Sequence, residues 1–281
     1  MDGLTLSQIA AFLAAPFVAS LILTGIHAYL GVHVVERGVI FVDLSLAQIA
    51  ALGAAIAILM PFTGGDPHAP SVYWVSLGFT FIGAAVFSTI RGQRARIPQE
   101  AIIGICYAVA SAAAILAMSK ATSESEHLKD MLVGNILAVS WPEVFKTAAL
   151  YGVIGLFHYR FRKTFLAISL NHDQADVHGS VRFWDFLFYA SFGFVVTSSV
   201  AIAGVLLVFC YLIVPSVGAM LYADSVGKRL AIGWTMGTVV SALGVYLSLV
   251  LDLPTGATIV CTFGVVLALM AAVRPLIVRR S

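Results

Sequence analysis

Residues 38–60 read GVIFVDLSLAQIAALGAAIAILM, and this stretch decides the fold. At ~1.5 Å per residue a helix of that length covers roughly 35 Å, against a hydrocarbon core of about 30 Å. By length it is a membrane span, yet it carries a carboxylate, Asp43, and an amide, Gln48. An ionisable group inside a span is costly and faces a bundle interior or a water-filled path. Many of the flanking residues are small: Ser45, Ala47, Ala50, Ala51, Gly53, Ala54 and Ala55. Small side chains let neighbouring helices approach closely. The stretch is expected to line a pathway rather than face lipid. The plainer alternative is that Asp43 hydrogen-bonds a neighbouring helix.

The whole chain has the same character. Of its 281 residues 60% are hydrophobic and 11% charged, with a mean hydropathy of +0.98. A soluble domain carries about 25% charged residues. The expected fold is therefore all-α: a polytopic membrane helix bundle, one transmembrane domain over residues 1–281, in contact with lipid and not with nucleic acid. The net charge of +2 says less than the placement of the charges. Cys106, Cys210 and Cys261 lie in apolar stretches with no CxxC pair and no zinc spacing, so they read as small core residues. The opening MDGLTLSQIA has no basic region before its apolar run, so the first span is expected to stay in the mature chain.

Nine apolar segments follow one another: roughly 8–30, 38–60, 72–90, 99–118, 143–160, 184–199, 203–222, 229–250 and 257–274. Runs near 20 residues in a bilayer must be helices, because each backbone group needs an internal partner. The pair 184–199 and 203–222 is nearly continuous, and only the Ala201–Gly204 region can hold a turn.

The charges favour nine spans over eight. With nine, one side receives Arg37; Arg91, Arg94 and Arg96; Arg160, Arg162, Lys163 and Arg182; Lys228 and Arg229; and Arg274, Arg279 and Arg280. That is 13 of the 16 basic residues, against Lys120, Lys129 and Lys146 on the other side. The excess marks the cytoplasmic side. The N-terminus is then outside, the C-terminus is cytoplasmic, and the protein is a multi-pass protein of the cell (inner) membrane. The opposite loops are acidic, with Asp66, Glu124, Glu126, Asp130, Glu143 and Asp252. They form solvated surface, or else a docking face or cation funnel.

Two cytoplasmic features stand out. The connection from Arg160 to Trp184 contains LNHDQADVHGS, polar enough for a short surface helix that stops at Gly179. The run from Gly204 to Asp224 places Pro215 inside an apolar helix, which should kink or interrupt it. No GxxxxGK[ST] loop is present, so the chain does not bind nucleotide in that manner. Nor is there a basis for Ser/His/Asp catalysis. Of seven histidines only His27 lies well within a span, and a lone intramembrane histidine is more often a hydrogen-bonded packing residue than a ligand.

Four blocks, in order and at compatible spacing, resemble the permease subunits of ATP-binding-cassette importers for zinc, manganese and iron. They are GIHAYLGVHVVERGVIFVDLSLAQIAALG; IPQEAIIGICYAVASAAAILAM followed by MLVGNILAVSWPEV; NHDQADVHG; and GVLLVFCYLIVPSVGAMLYAD followed by DLPTGATIV. The resemblance implies a type-II-like importer permease and not an enzyme. It implies a second copy of the chain, cytoplasmic ATPase subunits and an external solute-binding protein as partners. No cofactor is implied beyond the divalent metal being transported. It also implies that the segment around 164–182, with Asn171, Asp173, Ala175 and Gly179, couples to the ATPase. Asn171, Ala175 and Gly179 match an acidic-x3-Ala-x3-Gly pattern with an amide for the acid.

Span 2 departs from the family, which reads Asp-x3-His there. Here Gln48 holds the histidine position and Leu44 the aspartate position, with Asp43 next door. Asp43 and Gln48 are about 140° apart around a helix and share no face. Imidazole and carboxylate suit zinc, manganese and iron, whereas an amide is a poor zinc ligand. The substrate pathway is expected to involve Asp43, Ser45, Gln48 and His27, with Asp43 and His27 as candidate metal ligands. Gly204 and Pro215 are the candidate gating breaks. Two other readings remain: import of a metal chelate or other small solute, and an ion-coupled secondary transporter that uses Asp43 for the coupling proton. A membrane-embedded enzyme would need more clustered catalytic groups than Asp43, Gln48 and His27.

Overall fold

The structure, a computed structural model, describes residues 6–63, 66, 69–90, 98–119, 136–170 and 180–278, with side chains described from 11 to 275 within these. Among them the chain forms nine α-helices and no strand. They are α1 (Leu6–Glu36), α2 (Val42–Ile58), α3 (Pro70–Ile90), α4 (Gln99–Met118), α5 (Trp141–Arg160), α6 (Arg162–Leu170), α7 (Val181–Met220), α8 (Val226–Leu251) and α9 (Thr255–Val278). Six of these, α1, α3, α4, α7, α8 and α9, are long and apolar enough to cross a membrane. α2 is shorter, and α5 carries Glu143, Lys146, His158 and Arg160. Large apolar side chains point outward on α4 (Ile105, Val109, Leu116), α5 (Phe145, Val153, Leu156) and α9 (Val265, Leu269). Apolar surface on that scale marks a membrane or partner interface.

Two features differ from the sequence expectation. The helix in 38–60 starts only at Val42, because Gly38 takes a left-handed φ of 65° and Val42 N–H closes a turn on Val39 C=O at 3.1 Å. Glycine adopts that conformation without steric cost. The 17 residues of α2 cover ~26 Å, and Asp43 falls in its first turn rather than more than a turn inside. In α7 the break falls at Gly204 (φ 75°, ψ 161°), inside the predicted window, while the helix continues through Pro215. Backbone at Gly204 lies where side-chain-bearing residues do not go.

The chain divides into two compact units. The first comprises Met1–Val35, Leu132–Leu156 and Ile202–Ser281. It contains most of α1 and α5, the second half of α7, α8 and α9. Glycine in α1 lets these helices meet. A Cβ on Gly31 would lie 1.9 Å from the Leu212 carbonyl oxygen and 2.3 Å from Ser216 Oγ. Ser216 Oγ in turn donates to Leu212 C=O at 2.9 Å, and Trp234 Nε1 donates to Gly25 C=O at 3.0 Å. Gly31→Ala is therefore expected to cost ~1–3 kcal/mol, as overpacking against backbone does. Gly25→Ala, whose Cβ meets nothing within 4 Å, should be neutral or stabilising. Thermal unfolding of the two variants in detergent checks this; equal midpoints would refute the close approach.

The second unit comprises Glu36–Met131 and Phe157–Ala201. Here α2 packs against both α3 and α4. Gly53 and Gly83 allow the α2–α3 contact: a Cβ on Gly53 would sit 2.9 Å from Ser76 Cα, and one on Gly83 would sit 2.9 Å from Ile49 Cδ1. Ser76 Oγ donates to Ala50 C=O at 2.8 Å. Thr80 on α3 pairs with Thr197 on α7 at 3.1 Å. This packing holds α2 from two sides.

Candidate pathway and coupling site

Asp43 is 1% exposed, and its Oδ1 accepts no hydrogen bond. Leu46, Ala47 and Ala50, at spacings of three, four and seven, are buried with it. The hydrogen-bonded reading of Asp43 therefore does not apply to Oδ1. A dry carboxylate oxygen without a donor is costly until a positive charge compensates it. Part of that compensation comes from the helix itself, since Asp43 lies in the first turn of α2, at the positive end of the helix dipole. That end is completed from α4: Phe41 N–H donates to Glu100 Oε1 at 3.1 Å. Ser45 Oγ is likewise buried without a hydrogen bond.

Gln48 lies on a different face. It is half-buried, as are Leu44, Leu52 and Ile56 at intervals of four, which together form the more open stripe of α2. α2 thus presents one dry face bearing Asp43 and one more open face bearing Gln48.

His27, in α1 of the first unit, is fully buried. Its Nδ1 lies 2.8 Å from Leu23 C=O, so that nitrogen carries the proton and donates. Tyr151 meets the ring edge-on, with centroids 6.3 Å apart. These contacts match a packing histidine. Among the described residues no three His, Cys, Asp or Glu side chains are grouped to hold a metal ion.

Asn171, Asp173, Ala175 and Gly179 lie outside the described residues. The elements leading into and out of them are α6, which buries Phe165, Ile168 and Ser169, and the start of α7. His158 Nε2 lies 2.8 Å from Ser191 Oγ, and its ring stacks on Phe165 at 4.4 Å. Beside this cluster Arg37, 5% exposed, forms an ion pair with Asp185, Nη1 to Oδ1 at 2.7 Å. Arg37 Nε also donates to Ser169 Oγ at 2.9 Å, and Cζ lies 3.9 Å from the Phe188 ring centroid.

Sequence reasoning assigned no role to Asp185 or Glu100, and took Ser169 only as part of the segment around 164–182. A signal existed for Asp185, an acid within the apolar run FWDFLFYA. Ser169 and Glu100 lie in stretches the sequence singled out, but their bonding partners depend on which helices meet.

Comparison with known proteins bears on the whole chain. The profile of the ABC 3 transport family matches residues 10–274. The manganese transport system membrane protein MntC of Listeria monocytogenes is 26% identical over 257 residues, covering 89% of this chain and 86% of that protein. The chelated iron transport system membrane protein YfeC of Yersinia pestis is 26% identical over 242 residues, covering 86% and 79%. A chain of the solved structure of PsaBC from Streptococcus pneumoniae in complex with Fab shares the fold, with a TM-score of 0.75, 24% identity and coverage of 92% and 90%. With nearly its full length matched, the chain belongs to the ABC 3 transport family, as a membrane permease.

Proposed function

We propose that the chain is the membrane-spanning permease of an ATP-driven importer for a divalent transition metal: zinc, manganese or iron. The observation that carries this is the family match over residues 10–274 together with a buried, unpaired carboxylate oxygen on α2. ATP hydrolysis belongs to separate cytoplasmic subunits, and an external binding protein delivers the substrate. A second copy of the chain completes the pathway, and residues 1–281 act as one permease domain.

In this reading the chain crosses the membrane nine times: the six long helices, α2, α5, and α7 counted twice because Gly204 divides it. The N-terminus is outside and the C-terminus inside, as the basic residues require. Gly204 is the position at which the divided helix yields during transport.

In transport Asp43 attracts the cation and Gln48 offers only weak ligation. Passage requires binding firm enough to enter and loose enough to leave. Leu44 and Gln48, in place of aspartate and histidine, favour a chelate as the alternative cargo, and the similarity to YfeC points the same way.

The test is uptake of manganese, zinc, iron and ferric chelates in cells with and without the chain, alongside reporter fusions at Gln93 and Ser281. Loss of one cargo and cytoplasmic signals at both fusions are expected. Unchanged uptake of all of them would overturn the importer reading, and an external signal at either site would overturn nine spans. Uptake that survives removal of the partner ATPase would favour the ion-coupled alternative.

A further inference from the structure

We propose that Arg37 is a positioning residue for transport: one guanidinium ties the chain on both sides of residues 171–179, the part of the coupling segment read as the ATPase contact, to the start of α2, and so to Asp43. The inference rests on the reading of 171–179 as the ATPase contact.

The geometry is that of a clasp. Ser169, which accepts from Arg37 Nε at 2.9 Å, is two residues before Asn171. Asp185, which accepts from Nη1 at 2.7 Å, is six residues after Gly179. The chain therefore leaves and re-enters the clasp on either side of residues 171–179. Phe188 lies under the guanidinium at 3.9 Å and holds its plane.

On its other side Arg37 adjoins a turn with little slack. Gly38 is left-handed at φ 65°, Val42 N–H returns to Val39 C=O, and α2 begins at once. Asp43 is six residues from Arg37 along this turn. A push on α6 or on the start of α7 therefore reaches α2 through a dry, directional contact rather than through a flexible loop.

The role requires arginine specifically. A guanidinium presents several donors in a fixed fork and stacks on an aromatic face, so it can serve Ser169, Asp185 and Phe188 at once. An ammonium is a point charge on a flexible stem. Lysine at this position keeps the buried charge opposite Asp185 but cannot hold both ends.

The test uses the full complex of permease, ATPase and binding protein in lipid vesicles, with Arg37→Lys as the main variant. The readout is the ratio of ATP hydrolysis with substrate-loaded binding protein to hydrolysis without it, normalised to assembled complex, together with metal uptake. The stimulation ratio and uptake are expected to fall about tenfold, within the range of coupling between distant sites. Ser169→Ala, which loses one arm of the clasp and leaves the ion pair, should fall by a smaller factor. Wild-type stimulation and uptake in Arg37→Lys would overturn the inference and leave the coupling reading standing. If Arg37→Lys does not assemble, an unchanged ratio in Ser169→Ala overturns the inference. Absence of stimulation in the wild-type complex overturns the coupling reading and this inference with it.

Discussion

Asp43→Asn is expected to reduce uptake per membrane-embedded permease by about 100-fold, while the protein level stays the same or rises. Two features set this split. The charge that attracts a cation is lost, and a charged contact of ~3 kcal/mol in a dry site corresponds to about 100-fold. The fold loses little, because Asp43 Oδ1 accepts no hydrogen bond that an amide would break. Removing a buried charge without a partner is neutral or stabilising. A purely structural Asp43 predicts the reverse, a lower protein level with normal uptake per molecule. Uptake normalised to membrane protein separates the two, and near-wild-type specific uptake would remove Asp43 from the pathway.

Ala175→Arg is the second large effect. Arginine at this position in LNHDQADVHGS adds a long cation where the proposed contact with the ATPase requires a small residue. Substrate-stimulated ATP hydrolysis is expected to be abolished while the permease remains in the membrane, because the segment belongs to a connection and not to a span. Overpacking alone costs ~1–3 kcal/mol, and a buried unpaired cation adds several more. Co-purification of the ATPase and its stimulated hydrolysis are the measurements. Normal stimulation in the variant would show a free surface loop instead. Set beside Arg37→Lys, the pair distinguishes loss of docking from loss of transmission: the first removes the ATPase, and the second leaves it bound but uncoupled.

Much of the architecture is legible from hydropathy alone. The apolar run at 99–118 coincides with α4, Gln99–Met118, and the run at 72–90 lies within α3, Pro70–Ile90. The reason is the solvent. Hydrocarbon offers the backbone no hydrogen bonds, so an apolar run of that length has one available conformation, and its ends fall where charge or proline begins. The window for the break in α7 is legible on the same grounds, since Gly204 alone there tolerates its φ of 75°. The presence of Asp43 and Gln48 on one helix, and their different faces, follows from helical periodicity.

The tertiary structure decided what those side chains meet. α2 begins four residues later than its apolar run, because the left-handed Gly38 and the clasp on Arg37 claim the residues before it. That brings Asp43 to the helix start, with Glu100 of α4 completing the same end. Pro215 promised a break and stays helical, while Gly204 takes the bend. Asp185 and Ser169, 16 residues apart in the chain, both bond Arg37, at sequence separations of 148 and 132. Periodicity along one helix determines which way a side chain points. Which partner waits there depends on helix packing, and in a chain this uniformly apolar many packings share the same pattern of hydrophobic residues.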